Sequence, residues 1–147
     1  MRAVVEKVKR ATLYSEGEKF SEIKTGLVVL FGVNDTDSID MVEHFANKIL
    51  KLRIFRDENG KMNKNVMDIG GKILLVSNFT LYGRTQNTNR PDFTHAAKPE
   101  IAEKIYLALR DELAKSISTK TGVFRTHMDI DMIADGPGTF LLEENNN

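Results

Sequence analysis

Two short apolar runs set the strongest constraint on this chain. Leu27-Val28-Val29-Leu30-Phe31 lies between Gly26 and Gly32, and Ile73-Leu74-Leu75-Val76 follows the Gly70-Gly71 pair. Neither run alternates apolar with polar residues and both are short, so each reads as a strand. The first suits a strand covered on both faces. Two other stretches offer covering layers. Ile39, Val42, Phe45, Ala46 and Ile49 recur at helical spacing, with Asp37 or Ser38 placed to accept from the free N–H groups of the first turn. Lys48 and Lys51 sit near the C-terminal end of this helix, where the dipole favours cations. Pro99 can open a second helix, and Ile101, Ile105, Ala108 and Leu109 line its inner face.

The remaining segments read as strands, turns and loops. Residues 2–8 form a strand and 10–15 a second run, which turns at Glu16-Gly17-Glu18 into a partner over 18–23. Asp57-Glu58-Asn59-Gly60 is a turn. Residues 83–98 are polar and aperiodic, a long loop of the kind that often carries function. Residues 123–133 read as a strand, Asp135-Gly136-Pro137-Gly138 as a turn, and Thr139–Leu142 as a last short strand before a frayed tail at 143–147. The order of elements is α+β: a single domain over 1–147 with a largely antiparallel or mixed sheet and two main helices.

Composition excludes several classes. Hydrophobic residues at 41% and charged residues at 29% argue against disorder. Cysteine is absent, which removes disulfides, thiolate nucleophiles and thiolate zinc sites. Lys+Arg and Asp+Glu are both 21, so overall charge gives no support for non-specific polyanion binding, although a local basic patch stays open. The start MRAVVEKVKR has no apolar core of a signal peptide, and no apolar run approaches the roughly 18 residues of a membrane span. The expectation is a cytoplasmic protein with no membrane or DNA partner, no metal and no cofactor.

Common catalytic templates are missing: there is no P-loop, no GxSxG elbow and no HExxH. His44, His95 and His127 are not spaced as a metal pair, and ordinary surface roles explain each. Asn34-Asp35-Thr36 and Asn78-Phe79-Thr80 match the glycosylation pattern, which carries no weight without a secretory signal. Two segments invite more than a packing explanation. Ser77-Asn78-Phe79-Thr80-Leu81-Tyr82 brings hydroxyl, amide and backbone N–H groups to the end of an apolar strand; polar capping of a strand end is the plain alternative. Asp135-Gly136-Pro137-Gly138-Thr139 is either a tight turn or a rigid backbone hook, since Pro fixes φ and Gly permits close approach. A Gly-Pro bond adopts cis or trans, and the sequence leaves the isomer open, cis being the form expected of a hook.

Together these segments resemble the D-aminoacyl-tRNA deacylase family. The resemblance runs from Met1 to about Glu143. It rests on Met1–Val5, Leu52-Arg53-Ile54-Phe55, Gly60-Lys61-Met62-Asn63, Ser77–Tyr82, Asn89-Arg90-Pro91-Asp92-Phe93, Thr121-Gly122-Val123-Phe124 and Asp135-Gly136-Pro137, in that order. The family's signatures are a Ser-Gln-Phe-Thr-type motif and an Asn-x-Gly-Pro-x-Thr-type motif. This chain departs at four positions: Asn78 stands for Gln, Ala134 for Asn, Gly138 for Val, and Lys7 for an Arg that supports the Gly-Pro loop.

The resemblance implies a barrel-like sheet and a homodimeric esterase that removes D-amino acids, and also glycine, mischarged onto tRNA. It implies catalytic roles for Ser77, Asn78, Phe79 and Thr80, with the Phe79 and Thr80 N–H groups holding the developing oxyanion. It implies that Gly136 and Pro137 reject the L hand through their carbonyls, reaching into a partner's pocket, with Thr139 and Lys7 beside them and Met128 and Phe124 lining the substrate pocket. Activation of water by the 2′-OH of the terminal adenosine is the favoured chemistry; a covalent Thr80 is the rival. Two further readings stay open: a diverged deacylase with altered substrate choice, and a non-catalytic tRNA-binding protein using Arg84, Arg90 and Lys98. A generic small-ester hydrolase is a third.

Overall fold

A computed structural model describes residues 1–146. The chain runs through β1 (Arg2–Ser15), β2 (Glu18–Ile23), β3 (Gly26–Gly32), a 3-10 turn (Ile39–Met41), α1 (Val42–Lys51), β4 (Phe55–Arg56) and β5 (Met62–Lys64). It continues through β6 (Lys72–Ser77), a second 3-10 turn (Phe79–Tyr82), α2 (Pro99–Ala114), β7 (Thr119–Thr121) and β8 (Met128–Glu143). The main sheet has the order β2-β1-β3-β6-β7, with β8 on the other edge of β1. Hairpin neighbours pair antiparallel, whereas β3–β6 and β6–β7 are parallel because α1 and α2 carry the chain back across one face. The Ser21 hydroxyl donates to the Thr121 carbonyl at 2.8 Å, linking β2 to β7 and curling the sheet towards a barrel. The α+β class with two helices and a mixed, nearly barrel-like sheet is as expected.

The apolar runs lie where they must. In β3, Leu27, Val29 and Phe31 face the helices, and in β6 Ile73 and Leu75 do the same, joining Phe45, Ile49, Ile105 and Leu109. Val28, Leu74 and Val76 face the opposite way, onto Val8, Ala11, Leu13 and Ile23 inside the curl. Both central strands are therefore covered on both faces. The runs at 2–8 and 10–15 are one strand, β1. Its inward parity switches, with Ala3 and Val5 in the helix-side core but Val8, Ala11 and Leu13 in the other. The switch coincides with register shifts against β8 around Val8. One strand thus serves two cores, pairing first with β3 and then with β2.

Several local expectations change. Ile39 and Ile101, expected on the inward helix faces, are exposed, and Tyr106 and Leu113 join Ile105 and Leu109 in the buried face of α2. Ser38, one of the two residues expected at the helix start, is the N-cap of the 3-10 turn that leads into α1, while the Asp37 carboxylate turns away to accept from the Asn34 N–H at 2.7 Å and from the Met1 ammonium at 2.6 Å. Gly136-Pro137 is not a turn between two strands: β8 runs unbroken through it, and residues 123–127 precede the strand. The tail is tied rather than frayed through Asn146, since the Glu144 N–H donates to Met1 O at 2.9 Å and Asn146 Nδ2 donates to Thr36 O at 3.0 Å; Asn147 lies outside the described residues. Two short elements, β7 and the β4–β5 hairpin, add to the expected set. Among the described residues no helix is long and apolar enough to cross a membrane.

Candidate active site

Because β3 and β6 are parallel, their C-terminal ends open at the same edge of the sheet. A cavity of about 640 Å³ lies there. Phe31 comes from β3 and Val33 from just beyond it, Ser77 ends β6, and Asn78, Phe79 and Thr80 lead from it into the second 3-10 turn. Lys98, Pro99 and Ala102 at the start of α2 cover one side, and Phe124, Arg125, Thr126 and Met128 the other. The long loop contributes Phe93, Ala96 and Ala97. The structure thus brings together Ser77, Asn78, Phe79, Thr80, Phe124 and Met128, all six expected from the sequence.

The Asn78 N–H donates to Phe31 O at 2.8 Å, which fastens the end of β6 to β3. The chain then tightens into the 3-10 turn, with Leu81 N–H to Asn78 O at 3.3 Å and Gly83 N–H to Thr80 O at 3.0 Å. The Phe79 and Thr80 N–H groups, first in that turn, have no acceptor among the described residues. The Thr80 hydroxyl donates to Asn78 Oδ1, so its proton is directed to an amide, not to a base. The Phe79 ring is exposed and packs on Phe93 with centroids 5.0 Å apart. Arg2 holds the turn from outside: its guanidinium donates to Leu81 O at 2.6 Å and lies 4.7 Å from the centre of the Tyr82 ring. Burial pushes the Tyr82 hydroxyl pKa well up, so that side chain stays neutral.

The long loop is ordered by its own contacts. Arg84 and Asp92 exchange backbone hydrogen bonds at 2.9 and 3.0 Å and pair through their side chains at 2.9 Å. The Thr94 hydroxyl and N–H, with Arg84, hold the Asp92 carboxyl well below the usual range. The Ala97 N–H donates to Val33 O at 3.0 Å, and the Asp35 N–H to His95 O at 3.0 Å, closing the loop onto the cavity wall. From behind, the Tyr106 hydroxyl donates to Leu75 O at 2.9 Å and its ring stacks on Phe124 at 6.0 Å. Sequence reasoning missed Arg2, Phe93, Ala96–Ala97, Arg125 and Thr126. Only Phe93, an aromatic in a polar loop, carried a local signal.

Gly136, Pro137, Thr139 and Lys7 do not line this cavity. Gly136 and Pro137 are exposed on β8, and the bond between them is cis. Asp135–Gly138 bulge opposite Lys7, because Glu6 pairs with Thr139 and Val8 with Ala134. Lys7 is buried. Its methylenes pack under Gly138, while Nζ reaches inward to Ile54 O at 3.4 Å and lies 5.8 Å from the centre of the Phe55 ring. The Thr139 hydroxyl donates to Glu6 Oε1 at 2.8 Å.

Fold and site together define an α+β protein whose candidate chemistry is carried by backbone donors, a hydroxyl and aromatic walls at a strand end. Residues 4–143 match the D-Tyr-tRNA(Tyr) deacylase family, and the chain belongs to it. It is 46% identical to a D-aminoacyl-tRNA deacylase of Natranaerobius thermophilus, over 99% of this chain and 98% of that one. It is 44% identical to one of Carboxydothermus hydrogenoformans, over 97% and 99%. A solved structure titled c-Myc DNA Unwinding Element Binding Protein superposes with a TM-score of 0.93 at 40% identity, covering 99% of this chain and all of that one. A probable eukaryotic D-amino acid tRNA deacylase shares the fold at a TM-score of 0.83 with 13% identity.

Proposed function

We propose that this protein is a D-aminoacyl-tRNA deacylase, hydrolysing the ester between a D-amino acid, or glycine, and the terminal adenosine of tRNA. The observation that carries the reading is the pair of unpartnered N–H groups at Phe79 and Thr80, at the rim of a cavity in a chain of this family. An aminoacyl ester is already activated, so the chief demand is a preorganised place for the oxyanion. One such donor contributes roughly 3 kcal/mol to transition-state stabilisation. With the ester carbonyl at these N–H groups, water attacks the carbonyl carbon and the tRNA hydroxyl leaves, with the neighbouring 2′-OH assisting. The Thr80 hydroxyl orients the ester, and Phe124 and Met128 pack against the amino acid or the adenine.

Chirality is read by the Gly136 and Pro137 carbonyls of a second copy, which accept from the substrate α-amino group and leave no room for an L side chain. That Gly136, Pro137 and Thr139 lie outside their own chain's cavity supports action in trans. A homodimer, one domain per chain, working in the cytoplasm is the assembly this requires. The test is release of amino acid from D-Tyr-tRNA, L-Tyr-tRNA, Gly-tRNA and a free tyrosyl ester. Turnover of D-Tyr-tRNA and Gly-tRNA only is expected. Turnover of the free ester at a similar rate would identify a generic hydrolase. Binding of RNA or DNA without turnover would identify a nucleic-acid-binding protein, for which the pairing of Arg84 with Asp92 leaves Arg90 and Lys98 as the loop cations.

A further inference from the structure

The neutral overall charge hides a local asymmetry. Between His44 and Lys64 the chain carries six lysines and arginines, at 48, 51, 53, 56, 61 and 64, against only Asp57 and Glu58. Asp57 is committed to its own turn, accepting from the Asn59 and Lys61 N–H groups and from Asn63, and Glu58 lies near Lys64. Lys48 and Lys51 are exposed and have no acidic partner among the described residues. With His44, Asn47, Leu52 and Arg53 they line an open groove of about 490 Å³ along the outer face of α1. Arg53 is steadied by Nε donating to Asn63 O at 3.0 Å.

The placement of the groove matters as much as its charge. Just past the end of β3, Val33 lines the candidate cavity, and the chain then turns back into α1. The groove therefore begins near the cavity's end of the sheet and leads away along a ten-residue helix, about 15 Å long. Lys48 and Lys51 stand in the last turn of α1, and the positive charge continues beyond it through Arg53 into the β4–β5 hairpin with Arg56, Lys61 and Lys64, so it extends along the chain rather than meeting at one small anion. These cations match a row of phosphates. We propose that this face binds the sugar-phosphate backbone of the acceptor stem of the same RNA whose 3′ end enters the cavity. The inference rests on the proposed deacylase activity for the position of that 3′ end. The groove supplies affinity and orientation, with no role at the reacting ester.

The experiment compares wild type with Lys48→Gln/Lys51→Gln, two exposed changes on a helix surface, checked for an unchanged melting temperature. On D-Tyr-tRNA, KM is expected to rise several-fold with kcat unchanged. The slope of log kcat/KM against log salt should become shallower by about one to two. On D-tyrosyl-adenosine, which lacks the stem, the variant should match wild type. Unchanged KM and salt slope on tRNA would overturn the proposal, as would an equal loss on the adenosine ester. If wild type turns over neither substrate, the proposed activity fails. Fluorescence anisotropy with uncharged tRNA then decides the groove separately: weaker, less salt-dependent binding by the variant supports it, and equal or absent binding overturns it.

Discussion

At the scale of single residues, the candidate site is built on a 3-10 turn and the atoms that hold it. The Thr80 hydroxyl already donates to Asn78 Oδ1, and an amide oxygen cannot accept a proton as a general base does. Thr80→Ala should therefore slow D-Tyr-tRNA hydrolysis without abolishing it, and mass spectrometry of quenched wild-type reactions should find no acyl-enzyme. A trapped covalent adduct would reverse that assignment. Arg2 matters in another way. Its guanidinium ties β1 to Leu81 O and covers the Tyr82 ring, fixing the turn that carries the free N–H groups. A hydrogen bond from a charged donor contributes about 1.5–3 kcal/mol. Arg2→Ala should lower kcat by roughly tenfold while KM changes little, with Arg2→Lys recovering part of the loss; steady-state kinetics on the three proteins checks this.

Among the elements, β7 and β8 are joined by the segment that forms one wall of the cavity. A Cβ built on Gly122 would lie 2.5 Å from the Met128 sulfur and 3.0 Å from a Leu13 methyl. The sulfur sits on a flexible side chain and can move, and the direction open to it is the cavity it already lines. Gly122→Ala should therefore raise KM for the aminoacyl-tRNA by several-fold while the melting temperature falls by only a few degrees. A loss of stability without a change in KM would mean that Met128 does not touch the substrate.

For the whole molecule, β8 is the exposed feature. Its outer edge pairs with no strand among the described residues, and Met132, Ile133 and Leu141 are exposed along it. A long strand edge with apolar side chains invites pairing with another copy. Sedimentation at micromolar concentration should show a dimer. Ile133→Glu/Leu141→Glu should yield a folded monomer that has lost most activity. A fully active monomer would remove the hook from the mechanism. Stability should also fall in alkali. Burial pushes the Tyr106 hydroxyl up to about 12, above its ordinary value near 10. The folded state thus holds this proton more tightly than the unfolded chain. Stability from this group is complete below pH 10 and is lost as pH rises towards 12. Chemical denaturation between pH 8 and 11 should show the decline, and Tyr106→Phe should make it shallower, the remainder coming from Tyr82, whose hydroxyl burial also pushes up.

What the sequence determined by itself was local. The two unalternating runs identified the central strands, helical spacing identified both helices, and the polar residues after Val76 identified the strand end that opens into the cavity. Those signals come from side-chain periodicity and glycine punctuation within a few residues, which neighbours along the chain decide. The tertiary structure decided the rest. β1 is one strand because β8 pairs along nearly its whole length, across more than a hundred residues of sequence. Asp135–Gly138 is a bulge rather than a turn because β1 continues past it. Arg2 enters the site because its partner Leu81 is 79 residues away, and no spacing rule reaches so far. Long-range pairing between strands leaves no period in the sequence, and so the cavity wall and the fastening of its turn could be seen only in the folded chain.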